Sequence, residues 1–209
     1  QAIQIGTGTT VNTITQASPV NTYFRRQVAQ FVYTRAEINA AGVTGANTLS
    51  QLGFFITTNP LFNIPGYTVK VKHTNANNAS NSLGTTGWTV VKNAFTYAPE
   101  PGDFDMLIFD TPFNWNGTQN LAIEICWSQI QPTWDASGQC RIFNSNRGYR
   151  YRLDDNAGSI CGQTTTTRVN YKPQVRLIFK STTTWNGSVS TDWFNQNNWD
   201  AFVPTQEMN

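Results

Sequence analysis

The sequence predicts an all-β protein, an antiparallel β-sandwich carrying one short helix. Three observations lead there. The 209 residues include 29 Thr and 23 Asn, both poor occupants of helix interiors. Aromatic residues reach 13% and charged residues only 12%, against about 25% charged in ordinary globular domains. Apolar and polar residues alternate with period two between turn signals along most of the chain.

Strands are expected near 3–5, 10–15 and 25–33. Thr34-Arg35-Ala36-Glu37 then forms a capping box, with Thr34 as N-cap and Glu37 at N3. Ala36, Ile38, Ala40 and Ala41 continue a helix over 35–41 that Gly42 ends, plugging one end of the sandwich. A strand at 48–57 stops at Asn59-Pro60. Beyond Pro65-Gly66, Tyr67, Val69, Val71 and His73 alternate with Thr68, Lys70, Lys72 and Thr74. Strands near 88–97 and 105–113 flank the turn Pro99-Glu100-Pro101-Gly102. After Asn116-Gly117, Leu121, Ile123, Ile125 and Trp127 share one face. Strands at 139–145 and 148–153 are separated by a turn signal at Asn146-Arg147-Gly148, and Val175, Leu177 and Phe179 mark the last. Many short strands joined by turns imply a sandwich or barrel.

The composition also excludes several classes. So many aromatic and β-branched residues exclude disorder. No apolar run approaches the roughly 18 residues of a helical span, so the chain is not expected to be membrane-embedded. A net charge of +2 gives no electrostatic case for nucleic acid. The start, Gln1-Ala2-Ile3-Gln4, carries no signal peptide. Removal of one from an exported protein is the preferred reading, an arbitrary boundary the alternative.

Catalytic patterns are weak. There is no Gly-x-Ser-x-Gly, and the lone His73 has no evident Cys or Asp partner. Glu124 lies mid-strand and is expected to face solvent, paired across the sheet with a Lys or Arg. A glycosidase would need a second interior carboxylate, and none is evident. Asp154 and Asp155 are the better calcium candidates, ahead of Asp103 and Asp105, because calcium takes six to eight oxygens from flexible loops. Turn chemistry is the favoured explanation of both pairs. For a surface glycan, the candidates are Trp134 in a polar loop, Tyr149 near a turn, and Arg150 within a basic group with Arg147 and Arg152. Trp115 also lies near a turn, but most of these rings are expected in the core. The three cysteines, Cys126, Cys140 and Cys161, allow at most one disulfide and lack zinc-site spacing. Spacing leaves Cys126–Cys161, Cys140–Cys161 and three free thiols open, since doubling a loop changes its closure by only about 0.6 kcal/mol.

Several segments, in order, resemble a module of large secreted surface proteins of the Bacteroidota. The run Asn114-Trp115-Asn116-Gly117-Thr118-Gln119-Asn120-Leu121-Ala122-Ile123-Glu124-Ile125-Cys126-Trp127 is similar to their turn and Glu-x-Cys strand, and Thr111-Pro112-Phe113 precedes it as in that family. Gly53-Phe54-Phe55-Ile56 and Tyr33-Thr34-Arg35-Ala36-Glu37-Ile38 resemble their core strand and short helix. Tyr149, Tyr151, Asp154, Asp155, Asn156, Gly158 and Cys161 fit another stretch. Lys172-Pro173-Gln174-Val175-Arg176-Leu177 resembles their closing strand, with Lys172 and Gln174 departing from it. The resemblance implies a jelly-roll sandwich, export by the type IX secretion system with the outer-membrane secretion machinery as a transient partner, and a secreted or cell-surface location. It also implies a Cys126–Cys161 bridge, because those two match the family's cysteines and Cys140 has no counterpart.

Composition shifts at Ser181-Thr182-Thr183-Thr184, and Trp185, Trp193 and Trp199 follow within fifteen residues. The expected organisation is a sandwich module over 1–180, then a linker and the truncated start of a Trp-rich module over 181–209. The expected function is non-catalytic: an adhesin-like module for attachment or spacing. The alternative is a carbohydrate-binding accessory module of a secreted hydrolase.

Overall fold

The computed structural model describes residues 1–128, 137–153, 158–180 and 185–199. Eleven strands and one α-helix follow in order: β1 Ala2–Ile5, β2 Gln27–Tyr33, α1 Arg35–Ala40, β3 Asn47–Thr58, β4 Ile64–Thr74, β5 Thr89–Tyr97, β6 Phe104–Trp115, β7 Asn120–Trp127, β8 Gln139–Cys140, β9 Ile142–Leu153, β10 Thr167–Pro173 and β11 Val175–Lys180, with a 3-10 turn at Gln196–Asn198. They form an antiparallel β-sandwich. One sheet has the order β1-β11-β3-β6, with β8 added to β3; the other runs β10-β9-β2-β7-β4-β5. This order is compatible with a jelly roll.

Alternation places the core between the sheets. Tyr67, Val69 and Val71 of β4 and Leu121, Ile123, Ile125 and Trp127 of β7 are buried there, as their spacing requires. They meet Leu49, Leu52 and Phe54 of β3 and Leu177 and Phe179 of β11. The Tyr67 and Trp127 rings stack at 5.7 Å, and Phe31 of β2 meets Phe54 edge-on at 5.5 Å. Such pairs add about 0.5–1.5 kcal/mol each beyond the area they bury.

The capping box forms as the sequence predicts. Thr34 Oγ1 accepts from the Glu37 amide, and the Glu37 carboxylate accepts from the Thr34 amide. Ile38 is buried beneath this turn, and Lys172 of β10 closes it with a 2.6 Å ion pair to Glu37.

Two local expectations are corrected, and one strand is added. Residues 10–15 form no strand, only a bridge between Val11 and Arg141. Asn12 instead bonds the Thr13 and Gln16 carbonyls, and its Oδ1 accepts from the Cys140 amide. Such side-chain bonds to nearby backbone compete with a ladder. The signal at 146–148 does not reverse the chain. β9 runs through it, and the surplus residues are absorbed as a register shift against β10 between Val169 and Tyr171. β10 has no apolar alternation to announce it: Val169 and Tyr171 are half-buried against the core, and its buried residues are Lys172 and Pro173.

Residues 185–199 pack chiefly on one another. The Trp185, Trp193 and Trp199 rings lie 4.4–5.6 Å apart, and Trp199 Nε1 donates to the Trp193 carbonyl. The buried Asn198 amide gathers the turn, accepting from the Val189 and Ser190 amides and donating to the Asp192 carbonyl. The linker expected at 181–184 lies outside the described residues.

Candidate functional site

The second sheet has a covered outer face, and this decides where several expected site residues sit. In register across that face run Lys70, Glu124, Gln30, Arg150 and Arg168. Residues 80–84, between β4 and β5, and 160–166, ahead of β10, lie over it. Gln30 Oε1 accepts from the Leu83 amide of one segment and from Thr165 Oγ1 of the other. Arg150 donates to the carbonyls of Ser80, Thr165 and Thr166 at 2.9–3.0 Å, tying both segments down. These three bonds commit its guanidinium to holding the cover.

Glu124 is corrected on one point: it is buried, not solvent-facing. The expected cross-strand cation is Lys70, at 2.8 Å, and Gln30 Nε2 donates to the other carboxylate oxygen at 2.6 Å. Burial arises because the two covering segments exclude water from a strand face that alternation alone leaves open. The same cover meets the adjacent row. Cys126 points away from the core toward it and is bridged to Cys161, while Val28 and Ile160 pack alongside. Cys140 is a free, buried thiol whose pKa burial raises.

Tyr149, expected near a turn, is wholly buried, because β9 continues through 146–148. Its ring packs on Phe31, Tyr151 and Tyr171 and presents no face to a ligand. Trp115 is likewise core, against Phe179. Trp134, Asp154 and Asp155 lie outside the described residues. Asp105 accepts from the Tyr97 hydroxyl at 2.8 Å and the Glu100 amide at 3.0 Å, the work of a turn carboxylate. Among the described residues no three His, Cys, Asp or Glu side chains gather as a metal site, and no helix is long and apolar enough to cross a membrane.

A cleft of about 420 Å³ opens at the α1 end of the sandwich. Thr34, Arg35 and Ala36 form one wall; Thr74, Asn75 and Asn77 form the second; Thr118, Gln119 and Asn120 form the third. The walls are joined by amide-to-amide hydrogen bonds. Asn120 Oδ1 accepts from the Arg35 amide at 2.7 Å, and its Nδ2 donates to the Ala76 carbonyl and to Asn77 Oδ1. Gln119 Nε2 donates to Asn75 Oδ1, while Asn116 Nδ2 donates to Gln119 Oε1. Gly117 is needed in this turn: its φ is +71°, and a Cβ there would lie 2.2 Å from the Gly45 carbonyl carbon. Sequence reading missed the cleft because each wall, taken alone, is an ordinary Asn-rich turn. The signal present was the density of Asn in 75–78 and 114–120.

His73 anchors the third wall, its Nε2 accepting from the Asn116 amide at 3.0 Å. That bond requires an unprotonated Nε2. Partial burial lowers the His73 pKa below its ordinary 6.5, partly offset by a hydrogen bond with the Asn114 backbone. The unfolded chain therefore binds a proton that the folded chain resists, so the contribution is fully present above about pH 6.5 and is lost as pH falls through the lower folded value. Urea unfolding should show a small fall on acidification, under the roughly 1 kcal/mol of one hydrogen bond because the imidazole is only partly buried and solvent screens its charge. His73→Gln should flatten that part of the profile; an unchanged acid slope in the variant refutes the assignment.

Comparison with protein-family models, with curated proteins and with solved structures finds no match to this chain.

Proposed function

We propose that this chain is a non-catalytic module of a secreted or cell-surface, adhesin-like protein, exported by type IX secretion and displayed for attachment or as a spacer. The observation that carries the reading is the Cys126–Cys161 bridge, since disulfides persist outside the reducing cytosol. Several charged side chains support it, being spent on holding the fold: Glu124 on Lys70, Glu37 on Lys172, Asp110 on Lys92 and Arg150 on three carbonyls. The secretion machinery of the outer membrane is its transient partner. Residues 181–209 are proposed as a linker and the opening of a further Trp-rich module, and calcium at Asp154 and Asp155 belongs to the same proposal. A second reading, a carbohydrate-binding accessory module of a secreted hydrolase, is favoured by the amide-lined cleft.

The test is fractionation of the native host, with non-reducing peptide mapping of the recovered protein. The expected result is recovery from the cell surface or medium with a linked 126–161 peptide. A reduced chain confined to the cytoplasm overturns the proposal. Loss of surface attachment when the module is deleted favours the adhesin; a catalytic domain in the same polypeptide favours the hydrolase.

A further inference from the structure

We infer that the cleft between Arg35, Asn77 and Gln119 binds a carboxylate-bearing sugar, a uronate-type residue of an acidic glycan. The inference rests on the surface reading above and names the ligand class of its cleft. The donor balance of the lining residues carries it. Asn75 Oδ1 is occupied by Gln119, and Asn77 Oδ1 by Asn120, so each asparagine has its carbonyl engaged and its amide NH2 left over. The Arg35 side chain is exposed and makes no hydrogen bond or ion pair among the described residues; its backbone amide donates to Asn120 Oδ1 and its carbonyl accepts from the Asn39 side-chain amide. No carboxylate lines the cleft. Glu37, two residues from Arg35, is already neutralised by Lys172. The cleft therefore offers one unpaired cation and several N–H donors, with hydroxyls from Thr34, Thr74 and Thr118 around them.

That set selects by exclusion as well as by attraction. A calcium ion needs several oxygen ligands, carboxylates foremost, and no carboxylate lines the cleft, whose Asn75 and Asn77 carbonyl oxygens are already engaged. A neutral sugar recognised by stacking needs an aromatic face, and no aromatic residue lines the cleft. A planar carboxylate matches the fork of a guanidinium in two parallel hydrogen bonds. The ring hydroxyls of the same sugar can accept from the Asn75 and Asn77 amides. The volume falls within the roughly 300–1,000 Å³ of small-molecule sites, and the amide relay holds its walls before any ligand arrives.

The experiment titrates the full chain with methyl glucuronide, methyl glucoside and a glucose sulfate ester, followed by amide chemical shifts. The expected result is shifts at Asn75, Asn77 and Gln119 with the uronate, and at least tenfold weaker binding of the neutral sugar. Arg35→Ala should weaken uronate binding at least tenfold with an unchanged melting temperature, because the side chain is exposed; Arg35→Lys should recover part of it. Asn77→Ala should weaken it severalfold. No uronate binding, binding unaffected by Arg35→Ala, or preference for the sulfate ester overturns the inference. A surface-located protein that fails to bind uronate overturns the ligand assignment alone. A cytoplasmic, reduced protein that still binds uronate through Arg35 overturns the surface reading and leaves the cleft assignment standing.

Discussion

Removing the Cys126–Cys161 bridge, by the double change Cys126→Ala and Cys161→Ala, is expected to lower unfolding free energy by about 2–4 kcal/mol. The bridged residues are 35 apart in sequence, so the bridge removes a substantial loop from the entropy of the unfolded chain. It also holds Ile160 against Val28, and with it the segment that covers the outer face of β2 and β7. For a domain of this size the melting temperature should fall by roughly 5–15 °C. Thermal unfolding with and without a thiol reductant gives the same comparison on the unmodified protein. Cys140→Ala should leave that sensitivity to reductant intact, since Cys140 is a free thiol in the core. A melting temperature indifferent to reductant would show that the bridge contributes nothing to the fold.

Glu124→Ala is expected to be comparably damaging. Glu124 is 1% exposed, and its two oxygens hold Lys70 and Gln30 on the neighbouring strands. Deleting the carboxylate leaves an ammonium and an amide without their acceptor beneath the covering segments. Breaking a buried pair on one side costs about 3–5 kcal/mol. The figure here should sit near the lower end, because the Lys70 side chain is 18% exposed and can turn its ammonium toward water. Replacing both partners, Lys70→Met with Glu124→Met, removes the charges together and should recover most of the loss. Urea denaturation of the two variants decides between them. If the double variant is no more stable than Glu124→Ala, the damage comes from lost packing and not from the stranded charge.

The cover over the outer sheet face links these two results. It explains why an acidic side chain pointing out of the sandwich is nearly inaccessible, and why a cysteine on the same face meets a partner 35 residues away. Arg150, expected as a glycan contact, is drawn into the same work by the carbonyls of Ser80, Thr165 and Thr166. A long basic side chain beside a loop rich in unpaired carbonyls satisfies those carbonyls before it can serve a ligand.

What the sequence determined by itself was whatever depends on neighbours a few residues away. The inward faces of β4 and β7 follow from a period of two, and the short helix follows from Thr34 and Glu37, whose side chains satisfy each other's amides locally. Tertiary structure decided the rest. The register shift through which β9 continues across 146–148 depends on its pairing with β10, and Tyr149 lies buried beyond it. Glu124 is sealed by the segments of Leu83 and Thr165, far from it in sequence on either side, which no local pattern announces. The cleft is assembled from 34–36, 74–77 and 118–120, three stretches that are separate in sequence and meet only when β2, β7 and β4 lie side by side. Alternation fixes which way a side chain points; what covers it there depends on long-range pairing, which a sequence of turns and strands leaves undetermined.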